Sequence, residues 1–269
     1  MRFSSVIIDI MLIDTHCHIH DAEFFPDPSE QEAAYARAIA ADTAMICVAT
    51  SEQTSREAVE FARTHDQAWA VVGVHPHDTK SGWDEIGLIL DKTPDIIGIG
   101  EIGLDYFYMN SPRSVQIAGL EQQLQWAIDY SLPVSFHVRE AKNPHEQSVW
   151  DDLWPILDNF HGIRGVLHSF TDIQAQLDRG FERGLYVGVN GISTFTKDAE
   201  QQRLYAEIPL DKLLLETDAP FLTPVPFRGK VNEPSFVGRV AEHMAALCGV
   251  PPDLVSEATT DNARRLFAI

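Results

Sequence analysis

The chain has 269 residues, 45% of them hydrophobic and 22% charged, with 20 Lys and Arg against 40 Asp and Glu for a formal net charge of -20. That composition supports a large buried core, and its charge opposes broad, nonspecific adhesion to DNA or to a membrane surface. Apolar runs stay well short of the ~20 residues that span a bilayer, and the widely spaced Cys17, Cys47 and Cys248 make neither a disulfide framework nor a paired-cysteine zinc site. A reducing, cytoplasmic setting is expected, with no membrane association and no obligate protein partner.

The opening, MRFSSVIIDIML, lacks the small-residue cleavage site of a signal peptide. Residues 1–10 read as an N-terminal extension before Met11, which is an alternative start. The first apolar run, MLIDTH (11–16), leads directly into His16, His18 and His20 at alternate positions. Alternate residues of a strand share a face, so these imidazoles can be aimed at one metal ion. Segment 29–41 (SEQEAAYARAIAA) is a predicted helix, opening on Ser29 with Glu32 at capping-box spacing.

Seven further short runs follow: TAMICVAT (43–50), AWAVVGVHP (68–76), DIIGIGEIGLD (95–105), PVSFHVR (133–139), GVLHSF (165–170), LYVGVNG (185–191) and KLLLETDAP (212–220). They are near-continuously apolar, as strands covered on both faces are. Between and after them, 51–64, 114–131, 171–183 and 235–248 carry helical apolar spacing. Eight strands alternating with helices predict an α/β chain folded as a (β/α)8 TIM barrel, a single domain over 1–269. The competing doubly wound sheet would place a glycine-rich dinucleotide turn after its first strand, and none is present.

Active sites of such barrels lie at the C-terminal ends of the strands. There the chain offers His16 and His18, then His75 and His77, Glu101, His137 and Arg139, His168, and finally Glu216 and Asp218. Each alone reads as a hydrogen-bonded rim residue. Together they read as a metal site, because a carboxylate inside the apolar run around Glu101 is costly unless paired or metal-bound. His and carboxylate donors without cysteine suit Zn²⁺, Mn²⁺, Mg²⁺, Co²⁺ or Ni²⁺. Six ligands exceed one tetrahedral ion, whereas a bridging carboxylate can serve two ions ~3.5–4 Å apart.

The stretches DTHCHIHD, GVHPHD, GEIGLDY, PVSFHVREA, LHSF, ETDAPFLTP, RGKVNEP and NARRLF together resemble the TatD family of metal-dependent deoxyribonucleases, within the amidohydrolase-like barrels. The resemblance runs from about Leu12 to Phe267. It implies two divalent metal ions, one held by His16, His18, Glu101 and Asp218, the other by Glu101, His137 and His168. Glu101 would bridge them and Asp218 would double as general base. The chain departs from the family pattern at Glu140, where Asp is common, and in LHSFTD, which lacks a frequent glycine.

On the substrate side, His75, His77, Arg139, Arg228 and Lys230 are the candidate phosphate contacts, the last two on a proline-rich loop expected to overhang the barrel mouth. His75 and His77 can alternatively orient the metal ligands. Tyr106, Phe107 and Tyr108 offer rings for packing or for base stacking. His20 and His145 are expected at the surface, and Cys17 facing away from the metals.

The expected activity is cleavage of DNA phosphodiester bonds by water activated at two metals, with single-stranded or frayed DNA as partner; the resemblance implies exonuclease action from a 3′ end and a role in DNA repair or turnover. The alternatives are hydrolysis of a small amide, ester or lactone in the same barrel, and a metal-binding protein without catalysis.

Overall fold

In the computed structural model, residues 12–145 and 147–269 are described; the expected extension over residues 1–10 lies outside them. Eight strands form one parallel sheet in sequence order. They are β1 (Leu12–Cys17), β2 (Thr43–Val48), β3 (Ala68–Val72), β4 (Ile96–Asp105), β5 (Val134–Arg139), β6 (Gly165–Leu167), β7 (Tyr186–Val189) and β8 (Leu213–Leu215). All eight fall inside or within one residue of the predicted runs.

The helices are α1 (Pro28–Ala40), α2 (Glu52–Thr64), α3 (Asp84–Lys92), α4 (Arg113–Asp129), α5 (Trp150–Asn159), α6 (Gln174–Glu182), α7 (Ile192–Phe195), α8 (Ala199–Glu207), α9 (Val237–Cys248) and α10 (Pro252–Phe267). The cap of α1 is a correction: Asp27, not Ser29, accepts the Ser29 amide, and Pro28 opens the helix. On α2, Ser51 and Thr54 exchange the side chain–backbone bonds of a capping box. Five helices, α3, α5, α7, α8 and α10, were not among those predicted. Three of them, α3, α7 and α8, are short, α5 carries an internal proline, and α10 mixes apolar with many polar residues.

The core has two compartments. One fills the space between the sheet and the surrounding helices and includes Cys17, Met45, Leu104, Phe136, Trp154 and Leu215. The other lies within the sheet, where Ile13, Ile46, Val71 and Leu214 meet Ala263, Leu266 and Phe267 of α10. The opposite end of the strands carries the polar residues.

The two ends of the sheet meet at those polar ends. A bridge joins Cys17 to Ala219, the Asp218 amide donates to the His16 carbonyl at 2.8 Å, and the His18 amide donates to the Ala219 carbonyl at 2.8 Å. One glycine is obligatory nearby: Gly103 has φ +151°, and a Cβ there would lie 1.8 Å from the His137 carbonyl oxygen.

Candidate metal centre

Residues from six strand ends converge on a cavity of about 610 Å³ whose walls include His18, His75, Glu101, His137, His168 and Asp218. Glu101 stands at the centre, and its two oxygens face different histidines. Oε2 lies 3.4 Å from His16 Nε2 and 3.9 Å from His18 Nε2. Oε1 lies 2.8 Å from His137 Nδ1, 3.7 Å from His75 Nε2 and 3.8 Å from His168 Nε2. Asp218 Oδ1 closes the group, 3.2 Å from His18 Nε2, 3.7 Å from His168 Nε2 and 3.9 Å from His16 Nε2.

The outward-facing ring nitrogens fix how these histidines present themselves. His18 Nδ1 donates to the Val48 carbonyl at 2.7 Å. A carbonyl only accepts, so Nδ1 carries the hydrogen and Nε2 is the nitrogen left to bind a cation. His168 Nδ1 lies 2.9 Å from Glu216 Oε1, and its Nε2 likewise faces inward. His137 uses the opposite edge: Nε2 meets Asp105 Oδ2 at 3.1 Å, leaving Nδ1 toward Glu101. These are the carboxylate–histidine pairs that orient metal ligands. His16 Nδ1 meets Ser135 Oγ at 3.2 Å, while its buried Nε2 has no hydrogen-bond partner among the described residues. An orphaned buried nitrogen aimed between two carboxylates fits a metal ligand.

His75 differs. Its Nδ1 accepts the His77 amide at 3.1 Å, so in the neutral ring Nε2 is protonated. Its inward nitrogen is a hydrogen-bond donor although it lies near Glu101 and His137, with which it could form a metal-binding trio.

Burial dominates the electrostatics, and the charges then set the signs. Burial pushes Glu101 up, but the charges of His75 and His16, together with a bond from His137, hold its carboxyl well below the usual range. Burial pushes His168 and His137 down, and their carboxylate partners reverse this, to about 10 for His168 and about 9 for His137. Without a cation the site therefore gathers protons that a cation would displace. Asp218 is more accessible than Glu101, Asp105 or Glu216, its side chain 16% exposed against 5%, 1% and 1%, and its backbone sits in the left-handed region at φ 58°. Asp tolerates that region better than most residues.

The family model described as TatD related DNase matches residues 13–268. This chain belongs to the TatD family. It is 34% identical to the uncharacterized metal-dependent hydrolase YabD of Bacillus subtilis, over 96% of this chain and all of that relative. It is 33% identical to the 3′-5′ ssDNA/RNA exonuclease TatD of Salmonella typhimurium, over 96% of this chain and 99% of that one. The solved structure of YjjV, a TatD homologue from Escherichia coli, superposes with a TM-score of 0.86 at 29% identity, over 97% of this chain and all of the other. The chain is a TatD-type metal-dependent hydrolase on a TIM barrel.

All six expected metal-ligand candidates of this TatD chain, His16, His18, Glu101, His137, His168 and Asp218, lie in the cluster. His75 joins it, and His77 reaches it through Asp105 Oδ2 at 2.9 Å. Arg139 lines the cavity, and among the described residues its guanidinium has no carboxylate partner. It rests over the Phe107 ring, 5.0 Å from the centroid. Arg228 and Lys230 are not brought to the cavity. Arg228 donates to the Thr223 carbonyl at 2.8 Å and stacks on Phe195 at 3.8 Å, while Lys230 lies over Phe227 at 5.5 Å.

His145 is exposed as expected. His20 is a correction: it is 3% exposed, and among the described residues neither ring nitrogen has a hydrogen-bond partner. The turn after β1, tied by the Asp21 amide to the His18 carbonyl at 3.0 Å, carries its ring inward. Cys17 is buried in the sheet–helix core, and Tyr106 packs against α5 through Asp152.

Residue reasoning missed Asp105, and it picked out Glu216 at its strand end without the pairing to His168. Both lie in quoted motifs, GEIGLDY and ETDAPFL, and each follows a ligand or precedes one by a few residues. Phe24 and Phe221, also in the cavity wall, were missed too, although Phe221 lies within ETDAPFL.

Proposed function

We propose that this hydrolase removes nucleotides from a 3′ end of single-stranded DNA, with divalent cations that the imidazoles and carboxylates around Glu101 would hold. The observation that carries the reading is the division of labour at Glu101: one oxygen faces the His16 and His18 pair, the other faces His137 and His168. One ion would be held by His16, His18, Glu101 and Asp218, the second by Glu101, His137 and His168. The donor set of imidazole and carboxylate admits Zn²⁺, Mn²⁺, Co²⁺ or Ni²⁺. Bound in a pair, such cations lower the pKa of water and polarise a phosphoryl oxygen.

The chain's own residues do the rest. Asp218, partly open to solvent, receives the proton from the attacking water. The Nε2–H of His75 donates to a non-bridging phosphate oxygen, and Arg139, free of any carboxylate, supplies the charge-assisted contact that a phosphodiester needs. The relatives named as single-strand exonucleases support a nucleic-acid substrate. A net charge of -20 favours a frayed or single-stranded end over an embraced duplex. Three free cysteines fit a reducing cytoplasm.

The test is an end-labelled single-stranded oligonucleotide, with chelator-stripped protein reloaded separately with Mg²⁺, Mn²⁺, Zn²⁺ or Co²⁺. Laddering from the 3′ end that requires metal and disappears in Glu101→Ala is expected. Intact DNA with every metal, in protein carrying about two ions, would sink the nuclease reading and turn the search to amides, esters and lactones.

A further inference from the structure

Two phenylalanines stand beside the metal ligands with their rings half in water. Phe24, just past β1, is 36% exposed, and Phe221, just past β8, is 44% exposed. Their rings meet edge to face at 4.9 Å between centroids, and each makes a tilted contact with His18, at 6.1 and 6.4 Å. Both line the same cavity as Glu101, His137 and Asp218. Aromatic rings of this size are normally buried for their area. Here the pair is instead held open at the rim of a polar centre.

We infer that Phe24 and Phe221 form a stacking platform for the nucleobase next to the scissile phosphate. This rests on the nuclease reading. Every base has an apolar π-face, so two adjoining rings give sequence-tolerant affinity without hydrogen bonds. Arg139 and the Phe107–Tyr108 ring pair, at 4.8 Å, lie across the cavity on the β4–β5 side. A strand crossing the cluster would therefore find rings on both flanks and a free cation beside its phosphate. A base in a duplex is already stacked and paired, and must leave its neighbours to reach the platform. The rings thereby select unpaired ends.

The competing role is a simple shield that keeps water from His18. The two differ in what they make the rings sense. The experiment measures KM and kcat of the Mn²⁺-loaded enzyme on two oligonucleotides, one natural and one carrying abasic sugars at its last two positions. Phe24→Ala and Phe221→Ala are expected to raise KM on the natural strand by about 5- to 100-fold, with kcat and metal content little changed. On the abasic strand the wild type should already show the raised KM, and neither variant should change it further. Phe221→Trp should restore the natural-strand KM. Equal effects on both strands, or a fall in metal content, would overturn the platform in favour of the shield.

A second readout separates this from failure of the nuclease reading. An oligonucleotide ending in 2-aminopurine is mixed rapidly with the same proteins. Quenching in the wild type that is lost in both alanine variants supports the platform even if no strand is cut. Absence of quenching in the wild type overturns it.

Discussion

The amide of Asp218 donates to the carbonyl of His16 at 2.8 Å, although the two residues stand 202 positions apart. That bond belongs to the seam between the first and last strands, and it also sets an inward carboxylate beside an inward imidazole. Closing the sheet and completing the ligand set are one event. Cation binding should accordingly hold the seam shut.

Reloading stripped protein with Mn²⁺ or Zn²⁺ is expected to raise its melting temperature, by about 2.7 kcal/mol of stability at a free cation concentration near 100 times Kd for one site. His16→Ala with His18→Ala should remove most of that gain. Differential scanning calorimetry with and without chelator checks it; equal gains in wild type and double variant would contradict the assignment.

Glu216 is fully buried, and its Oε1 also accepts the Ser169 amide at 2.7 Å. Glu216→Gln keeps the shape but removes the charge that sustains His168. Metal affinity or turnover should fall about 10- to 100-fold with little change in circular dichroism. A variant with wild-type metal affinity and rate would show that Glu216 is merely structural.

Gly188 on β7 makes room for that carboxylate. A Cβ there would lie 2.2 Å from Glu216 Oε2. Because bonds from Ser169 and Asn190 pin Glu216, it cannot swing clear. Gly188→Ala should cost about 1–3 kcal/mol in urea unfolding and weaken metal binding as well. Tolerance on both counts would mean that the strand shifts freely.

Arg113 forks onto Asp152, to which the Tyr106 hydroxyl also donates, tying the end of β4 to α5. Burial pushes the Asp152 carboxyl up, but the bonds from Arg113 and Tyr106 outweigh it and hold the group below the usual range. A depressed folded value means stability that is present above the unfolded pKa and is lost as pH falls through the folded one. Since Arg113 is half exposed, Asp152→Asn should cost only about 0.5–1 kcal/mol at pH 7. The gap from wild type should close as the pH falls below the ordinary carboxylate range. Chelated protein, unfolded by urea across that range, gives the comparison; a gap independent of pH would assign the loss to packing.

The strands and the candidate ligands that cluster at their ends were legible because each signal is local. A strand covered on both faces must be apolar throughout, and a histidine or carboxylate at its end stands out against that run. Glu101 inside GIGEIGLD is the clearest case. What escaped depends on distance in space. Nothing near Arg228 in the chain announces that Phe195 and the Thr223 carbonyl will hold it away from the cavity. Likewise, no pattern around His20 reveals a turn that buries its ring. Helix α10 was passed over because its apolar residues seal the sheet interior from below instead of forming a broad stripe against a neighbour.

The seam has a consequence during translation. A ribosome delivers His16 and His18 early and Asp218 some 200 residues later, by which time most of the protein has left the exit tunnel. Until β8 arrives, the histidines of β1 lack a partner carboxylate from the last strand. A stalled or truncated product therefore has no complete hydrolytic centre.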